Sequence, residues 1–276
     1  MTIKAQNLTI SIPNKGCDKN CPYCISRMTM AQDTNFDLML RNVKKVCTLA
    51  RAAEVQSVLF TGKGEPMLNY DNICALSPYF KDWPMEIQTN GLMLATSYEN
   101  ILIERLFEWG FDIIAVSVDQ DSLFNFFEEK DLFKRIKKNG MNSRITVNVT
   151  KDLDRYSNFE NLIDYCKKNQ VAQLTIRKIV APDNYHNSEV AAWIQANTSD
   201  EQYKQLIYQA IAAMRDAKPI RRLNHGMIIY DYKDVSFTHS DYCIQEESQE
   251  TDTRSLIFQE NGHLYTHWNS EASILF

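Results

Sequence analysis

An α/β fold built on a parallel sheet is what this sequence predicts, on two observations. Six apolar, β-branched runs recur between residues 8 and 180, and amphipathic helical stretches lie between them. Such alternation specifies parallel strands joined by right-handed crossovers. A doubly wound sheet and a barrel, complete or partial, both satisfy it, although six units fall short of the eight of a closed barrel. The 276 residues, 44% hydrophobic and 24% charged, suit one large globular domain or a domain with an appendage.

The strands in order are LTISI at 8 to 12, SVLF at 57 to 60, MEIQ at 85 to 88, DIIAVSV at 112 to 118, RITVNV at 144 to 149 and QLTIRKIV at 173 to 180. A helix near 35 to 52 follows from Phe36, Leu40, Val43, Cys47 and Ala50, whose three- and four-residue spacing makes one apolar stripe. ENILIERLFEW (99 to 109), FNFFEEKDLFKRIKK (124 to 138) and NFENLIDYCKK (158 to 168) repeat the helical pattern. Beyond the sixth strand come two helices, 189 to 197 and 200 to 216, then short strands around 227 to 238, 255 to 259 and 263 to 268. Gln259-Glu260-Asn261-Gly262 supplies a hairpin turn between the last two. This part reads as an α+β extension, residues 183 to 276, that covers one end of the sheet or barrel formed by residues 5 to 182. Within it, QEESQETDTR at 245 to 254 has the composition of a mobile loop.

Composition narrows the function. No apolar run approaches the ~20 residues of a membrane span, and MTIKAQNLTISI lacks the apolar core of a signal peptide, so a soluble, cytoplasmic protein is expected. Seven unevenly clustered cysteines argue against a disulfide framework and for a reducing compartment. The net charge of −5 gives no general attraction to a phosphate backbone, which makes nucleic acid an unlikely partner. KRIKK at 134 to 138 and RR at 221 to 222 read as solvated helix faces or helix ends.

Against that background CDKNCPYC stands out, with Cys17, Cys21 and Cys24 following Pro13-Asn14-Lys15-Gly16 at the carboxyl end of the first strand. Sheet and barrel enzymes place their chemistry at that end. A structural zinc site or an ordinary iron–sulfur cluster takes four protein ligands, so three thiolates leave one position open. Cys47, Cys74 and Cys166 sit among apolar residues at helical spacing and read as buried free thiols, while Cys243 stands alone.

The CxxxCxxC spacing is the signature of the radical S-adenosylmethionine (SAM) superfamily, and the chain resembles that family at each strand where its barrel carries a motif. The resemblance covers about two thirds of the chain and implies a partial (β/α)6 TIM-type barrel. It implies that Cys17, Cys21 and Cys24 hold one 4Fe-4S cluster, whose open iron the amino and carboxylate groups of SAM complete. Tyr23 occupies the aromatic position near the adenine, and Gly62, Gly64, Glu65 and Pro66 in TGKGEP resemble the turn that binds the cosubstrate's amino group. Lys63 replaces the first glycine of the commoner form. Thr89 and Asn90 look like the Thr-Asn-Gly turn near the methionine end, Ser117 and Asp119 like contacts to ribose or carboxylate, and Asn148 and Arg177 match such positions more loosely.

The activity implied is reductive cleavage of SAM to a 5'-deoxyadenosyl radical that abstracts hydrogen from an unreactive carbon, with a flavodoxin- or ferredoxin-type electron donor. A small-molecule or nucleotide-like substrate is favoured. A peptide is the alternative, argued against by the few residues ahead of the first strand, where peptide-modifying members carry a recognition domain. Methyl transfer to ribosomal RNA is disfavoured because the family's methyl-carrying cysteine pair has no counterpart beyond Cys243. A non-catalytic iron–sulfur or zinc redox protein and a glycyl-radical activator are the remaining rivals. His263, Tyr265 and His267, read on one face of a strand, form either a substrate-facing row or a surface face.

Overall fold

The structure is a computed structural model that describes residues 3–27, 33–97, 100–180, 188–198, 200–223, 228–240, 253–268 and 270–276. Six strands, β1 (Ala5–Ile12), β2 (Ser57–Gly62), β3 (Met85–Thr89), β4 (Ile113–Val118), β5 (Asn142–Val149) and β6 (Gln173–Lys178), pair in parallel in chain order. Helices α1 (Phe36–Ala52), α2 (Tyr70–Leu76), α3 (Leu92–Thr96), α4 (Ile101–Glu108), α5 (Asp121–Glu129), α6 (Leu132–Lys138) and α7 (Phe159–Lys168) lie in the crossovers. After them come α8 (Ser188–Asn197), α9 (Asp200–Met214) and strands β7 (Lys218–Arg222), β8 (Ile228–Tyr232), β9 (Val235–Ser240), β10 (Thr253–Phe258) and β11 (Leu264–Tyr265).

The late strands lengthen the sheet at both edges. β10 joins β1 and β9 joins β6, both in parallel, and β11 and the β8–β7 hairpin follow antiparallel, giving the order β11-β10-β1-β2-β3-β4-β5-β6-β9-β8-β7. On a flat sheet β7 would lie seven strand spacings from β2, roughly 34 Å. Yet Arg221 of β7 donates to the Gln56 side chain, just ahead of β2, at 2.6 Å. The sheet is therefore curled into a barrel, and the α/β partial-barrel expectation holds.

Strand alternation sorts the side chains. Leu8, Ile10, Val58, Phe60, Ile87, Ile114, Val116, Ile145, Val147 and Ile176 are fully buried on the convex face, where Phe60 meets Phe80 and Phe111 from the helical layer edge-on. The opposite parity, in matched register across the strands, carries Ser11 and Thr61, then Gln88, then Ser117, Thr146, Thr175 and Thr238. A parallel sheet covered on both faces reads as continuous apolar runs. Here the concave face is polar, so the barrel interior serves something other than packing.

Several local expectations need correction. The stretch 124 to 138 is two helices, because Asp131 has φ 50 and breaks the ladder between α5 and α6. Cys74 is exposed on α2, in contrast to buried Cys47 and Cys166. Arg221 and Arg222 lie on the exposed strand β7, which the sequence reading lacked, since Pro219 and an unbroken exposed run carry no strand alternation. The last strand shrinks to Leu264–Tyr265. His263 and Tyr265 keep one parity, whereas His267 is exposed outside the strand. Cys243 lies outside the described residues, as do residues 245 to 252 of the expected loop, whose last two residues, Thr253 and Arg254, begin β10. Among the described residues no helix is long and apolar enough to cross a membrane.

Candidate active site

The predicted site residues map to the carboxyl ends of the parallel strands, and most of them join one of two groups of contacts. The first is centred on Glu65, which follows β2. Gly62 and Gly64 let the chain turn against the cysteine loop: a Cβ on Gly64 would fall 2.2 Å from both the Asn14 Oδ1 and the Gly16 carbonyl, and one on Gly62 3.0 Å from the Ile12 carbonyl. The Glu65 N–H then donates to the Gly16 carbonyl at 2.9 Å. Its carboxylate, buried, accepts from Met67 N–H at 3.0 Å, Thr89 Oγ1 at 2.6 Å and Asn90 N–H at 2.8 Å. Burial raises its pKa above the ordinary value, and the three hydrogen bonds oppose that rise. Asn90 extends the group to the thiols, its Nδ2 lying 3.8 Å from the Cys17 Sγ and 2.5 Å from the Asp18 carboxylate.

The second group surrounds Tyr23. Its hydroxyl donates to the Asp119 carboxylate, whose other oxygen meets Lys19 Nζ at 2.5 Å. Asn148 lies close enough to the Tyr23 hydroxyl to oppose the rise in its pKa that burial causes. Asp119 follows β4 on the same parity as Ser117, and Asn148 pairs in register with Arg177. The Tyr23 ring packs on Trp193 of α8, 5.5 Å between centroids, within a small apolar cluster of Ile179, Val190 and Ile194. Arg177 carries a buried Nε without a hydrogen-bond partner among the described residues. Deeper in the barrel Glu86 forms an ion pair with Arg144, whose pKa is pushed down to about 10 by burial and by the nearby Arg177 charge. For Ser117, placement on the concave face is the whole of its link to the others.

The thiols sit at the mouth between these groups. Cys17 is exposed and Cys21 and Cys24 are half-buried, with Cys24 N–H donating to the Cys21 carbonyl at 3.1 Å and Arg27 N–H to that of Cys24 at 3.0 Å. Burial raises the pKa of Cys17 and Cys21, and Cys21 feels the charge of both neighbours in the triplet. Among the described residues no three Cys, His, Asp or Glu side chains converge closely enough for a single metal ion. A donor set of three thiols at a wider spacing fits a multi-iron cluster better than mononuclear zinc. The buried, hydrogen-bonded Glu65 carboxyl equally fits the amino group of an amino-acid cosubstrate, whose N–H it can accept.

Sequence reasoning passed over Lys19, Trp193, Glu86, Arg144 and Glu260. Lys19 had a signal, standing inside the triplet itself, whereas the others become neighbours of the site through the pairing of strands and the packing of α8, far apart in the sequence.

A polar-lined barrel with three thiols at its rim defines a class, and comparison supplies the family. The family model of the Radical SAM superfamily matches residues 11–150, and the chain belongs to that superfamily. It is a radical SAM enzyme, whose family cofactors are a 4Fe-4S cluster and SAM. A 7-carboxy-7-deazaguanine synthase from Clostridium acetobutylicum is 24% identical over 193 residues, 63% of this chain and 86% of the relative. Crystal structures of Streptococcus suis SuiB share the fold with a TM-score of 0.60: the one bound to the precursor peptide SuiA at 18% identity, and the one bound to S-adenosylmethionine at 16%. They cover 95% of this chain, which in turn spans only about 60% of their length.

Proposed function

We propose that this enzyme cleaves SAM reductively and abstracts hydrogen from an unreactive carbon of a small-molecule or nucleotide-like substrate. The observation that carries the reading is the contact of the cysteine loop with the Glu65 cradle, through the Glu65–Gly16 hydrogen bond and the approach of Asn90 to Cys17. Cys17, Cys21 and Cys24 would hold the cluster. Glu65, with the backbone of Gly62, Lys63 and Gly64 and with Thr89 and Asn90, would receive the cosubstrate's amino group. Tyr23, Ser117, Asp119, Asn148 and Arg177 would contact its adenosyl and carboxylate parts. When bound and reduced by a flavodoxin- or ferredoxin-type donor, the cluster and SAM together supply a 5'-deoxyadenosyl radical.

The chain's own residues contribute orientation and exclusion of water. Thr89 and Asn90 fix the Glu65 carboxylate so that it presents acceptor oxygens in one direction. Asp119 holds Tyr23 by its hydroxyl and Trp193 flanks the ring, which walls one side of the mouth with aromatic surface. The polar concave face offers hydrogen-bonding partners to a substrate inside the barrel.

A small molecule is favoured over a peptide because the alignment with the deazaguanine synthase takes in 86% of that enzyme, against 59% of peptide-bound SuiB. Anaerobic reconstitution with iron and sulfide, followed by dithionite and SAM, is the test. Methionine and 5'-deoxyadenosine are expected, and Cys21→Ala should abolish both. A fully loaded cluster that yields neither product overturns the reading.

A further inference from the structure

One residue distant in sequence holds both ends of the cysteine loop. Glu260 lies in the turn between β10 and β11 and is 2% exposed. Its Oε2 accepts from the Asn14 N–H at 2.9 Å, at the start of the loop, and its backbone carbonyl accepts from the Asn35 N–H at 2.8 Å, at the loop's end. Asn35 is also the N-cap of α1, its side chain accepting from Leu38 N–H at 3.0 Å. The turn is seated on that helix: Asn42 Nδ2 donates to the Gly262 carbonyl at 2.8 Å, and Gly262, at φ 82, lies so close to Leu38 that a Cβ would fall 2.7 Å from its Cγ.

From Glu260 the contacts run straight to the thiols. Asn14, fixed by its N–H, uses its Oδ1 to accept from Gly16 N–H at 2.7 Å, and the Gly16 carbonyl takes the Glu65 N–H at 2.9 Å, one residue before Cys17. A buried carboxylate is costly to keep unless hydrogen bonds and charge compensate it. Asn14 and the neighbouring Lys63 charge supply both.

We propose that Glu260 is a positioning residue: it clamps the two ends of the segment 14–35, so that the three thiols and the Glu65 cradle keep one spacing whether or not iron is bound. The role of the thiols in this statement rests on the proposed function, but the clamp itself does not. It also gives the β10–β11 hairpin a task beyond extending the sheet, since the turn reaches across to the loop after β1.

Two conservative variants separate acceptor position from charge. Glu260→Gln keeps an oxygen within reach of the Asn14 N–H and loses the charge, whereas Glu260→Asp keeps the charge and withdraws it by one methylene, about 1.5 Å. Hydrogen–deuterium exchange of the 276-residue chain, with and without reconstituted cluster, is the measurement. Amides of residues 14 to 27 are expected to exchange at least tenfold faster in Glu260→Asp and at the wild-type rate in Glu260→Gln, with β2 to β5 unchanged in both. In the loaded, reduced protein the change that SAM induces in the cluster's electron paramagnetic resonance spectrum should be weakened in Glu260→Asp and kept in Glu260→Gln. Wild-type loop exchange in Glu260→Asp overturns the proposal, as does equal acceleration in both variants. Acceleration spread over β2 to β5 also overturns it, by making Glu260 a residue of general stability. A wild-type protein that never cleaves SAM sinks the proposed function alone, because loop exchange without iron tests the clamp independently.

Discussion

The backbone N–H of Asn90 donates to the buried carboxylate of Glu65 at 2.8 Å, joining the end of β3 to the turn after β2. With Thr89 and Met67 on the other oxygen, the carboxylate is held by three donors, while Asp18 nearby adds negative charge that works against its ionisation. Hydrogen bonds orient this group and desolvation penalises its charge. An amino group brought beside it supplies a further N–H donor to compensate that charge.

Glu65→Gln should therefore separate binding from folding. The amide replaces one acceptor oxygen by a donor, so one of the three hydrogen bonds is lost, and this offsets the relief of removing a buried charge; the net change in stability is expected within about 1 kcal/mol. A hydrogen bond to a charged group contributes about 1.5–3 kcal/mol, so SAM affinity should fall roughly 10- to 100-fold. Equilibrium dialysis of the reconstituted protein reads the affinity and thermal unfolding reads the fold. Unchanged affinity would remove Glu65 from the site.

The same carboxylate sets a pH dependence. Its folded-state pKa without ligand lies above the ordinary 4.5, so the neutral form, whose proton takes up one acceptor oxygen, persists to higher pH. SAM affinity is expected to rise with pH through that raised pKa, as the carboxylate becomes free to accept the N–H of the cosubstrate's amino group. Stability of the ligand-free protein has the opposite sign in the lower window: a raised pKa contributes stability below 4.5 that is lost as pH climbs through the folded value. Calorimetric titration from pH 5 to 9 checks the first, and unfolding midpoints over the lower part of that range check the second. Glu65→Gln should flatten the acidic limb of both.

Much of this site was legible because its signals are local. Cysteine spacing, the two glycines beside Glu65 and the Thr89-Asn90 turn each depend on neighbours within a few residues, and strand alternation was enough to put Ser117 and Asp119 on one face. The central strands were equally plain, since β4 and β5 carry dense β-branched runs. What escaped depends on pairing and packing between segments far apart in the sequence. Arg144 and Glu86 sit on non-adjacent strands, Trp193 approaches Tyr23 from a helix beyond the sixth strand, and Glu260 reaches Asn14 across 246 positions. No periodicity in one segment encodes such pairs. The break at Asp131 was missed for another reason: both halves of 124 to 138 keep the same apolar spacing across a residue whose positive φ has no sequence marker as strong as glycine.

Gly64→Ala should displace the cysteine loop more than it unfolds the barrel. Its Cβ would stand 2.2 Å from the Gly16 carbonyl, a backbone atom already held by the Glu65 N–H, so the loop must move. Overpacking of this kind costs about 1–3 kcal/mol, a few degrees of melting temperature for a chain this long. Iron content after reconstitution is expected to drop by more than half. Gly62→Ala, whose Cβ meets the Ile12 carbonyl at 3.0 Å, should show a smaller loss in the same assay. Equal loading of Gly64→Ala and the wild type would contradict the close contact of turn and loop.

The ion pair inside the barrel predicts an asymmetric double-mutant cycle. Glu86 and Arg144 are only 14% and 24% exposed at their side chains, so solvent screens them little, and Arg177 adds a second positive charge to Arg144. Removing one partner of a buried pair costs about 3–5 kcal/mol, because the other charge is left uncompensated; partial exposure reduces that here to about 2–4 kcal/mol. Glu86→Leu leaves two guanidinium groups facing each other. Arg144→Met leaves one carboxylate and removes the repulsion between Arg144 and Arg177. The first should be the more destabilising, and the Glu86→Leu/Arg144→Met pair should recover most of the loss, since a packed apolar pair replaces an ion pair at little net cost. Urea unfolding of the four proteins measures the cycle, and an additive result, or Arg144→Met as the worse single variant, would refute the electrostatic account of the barrel floor.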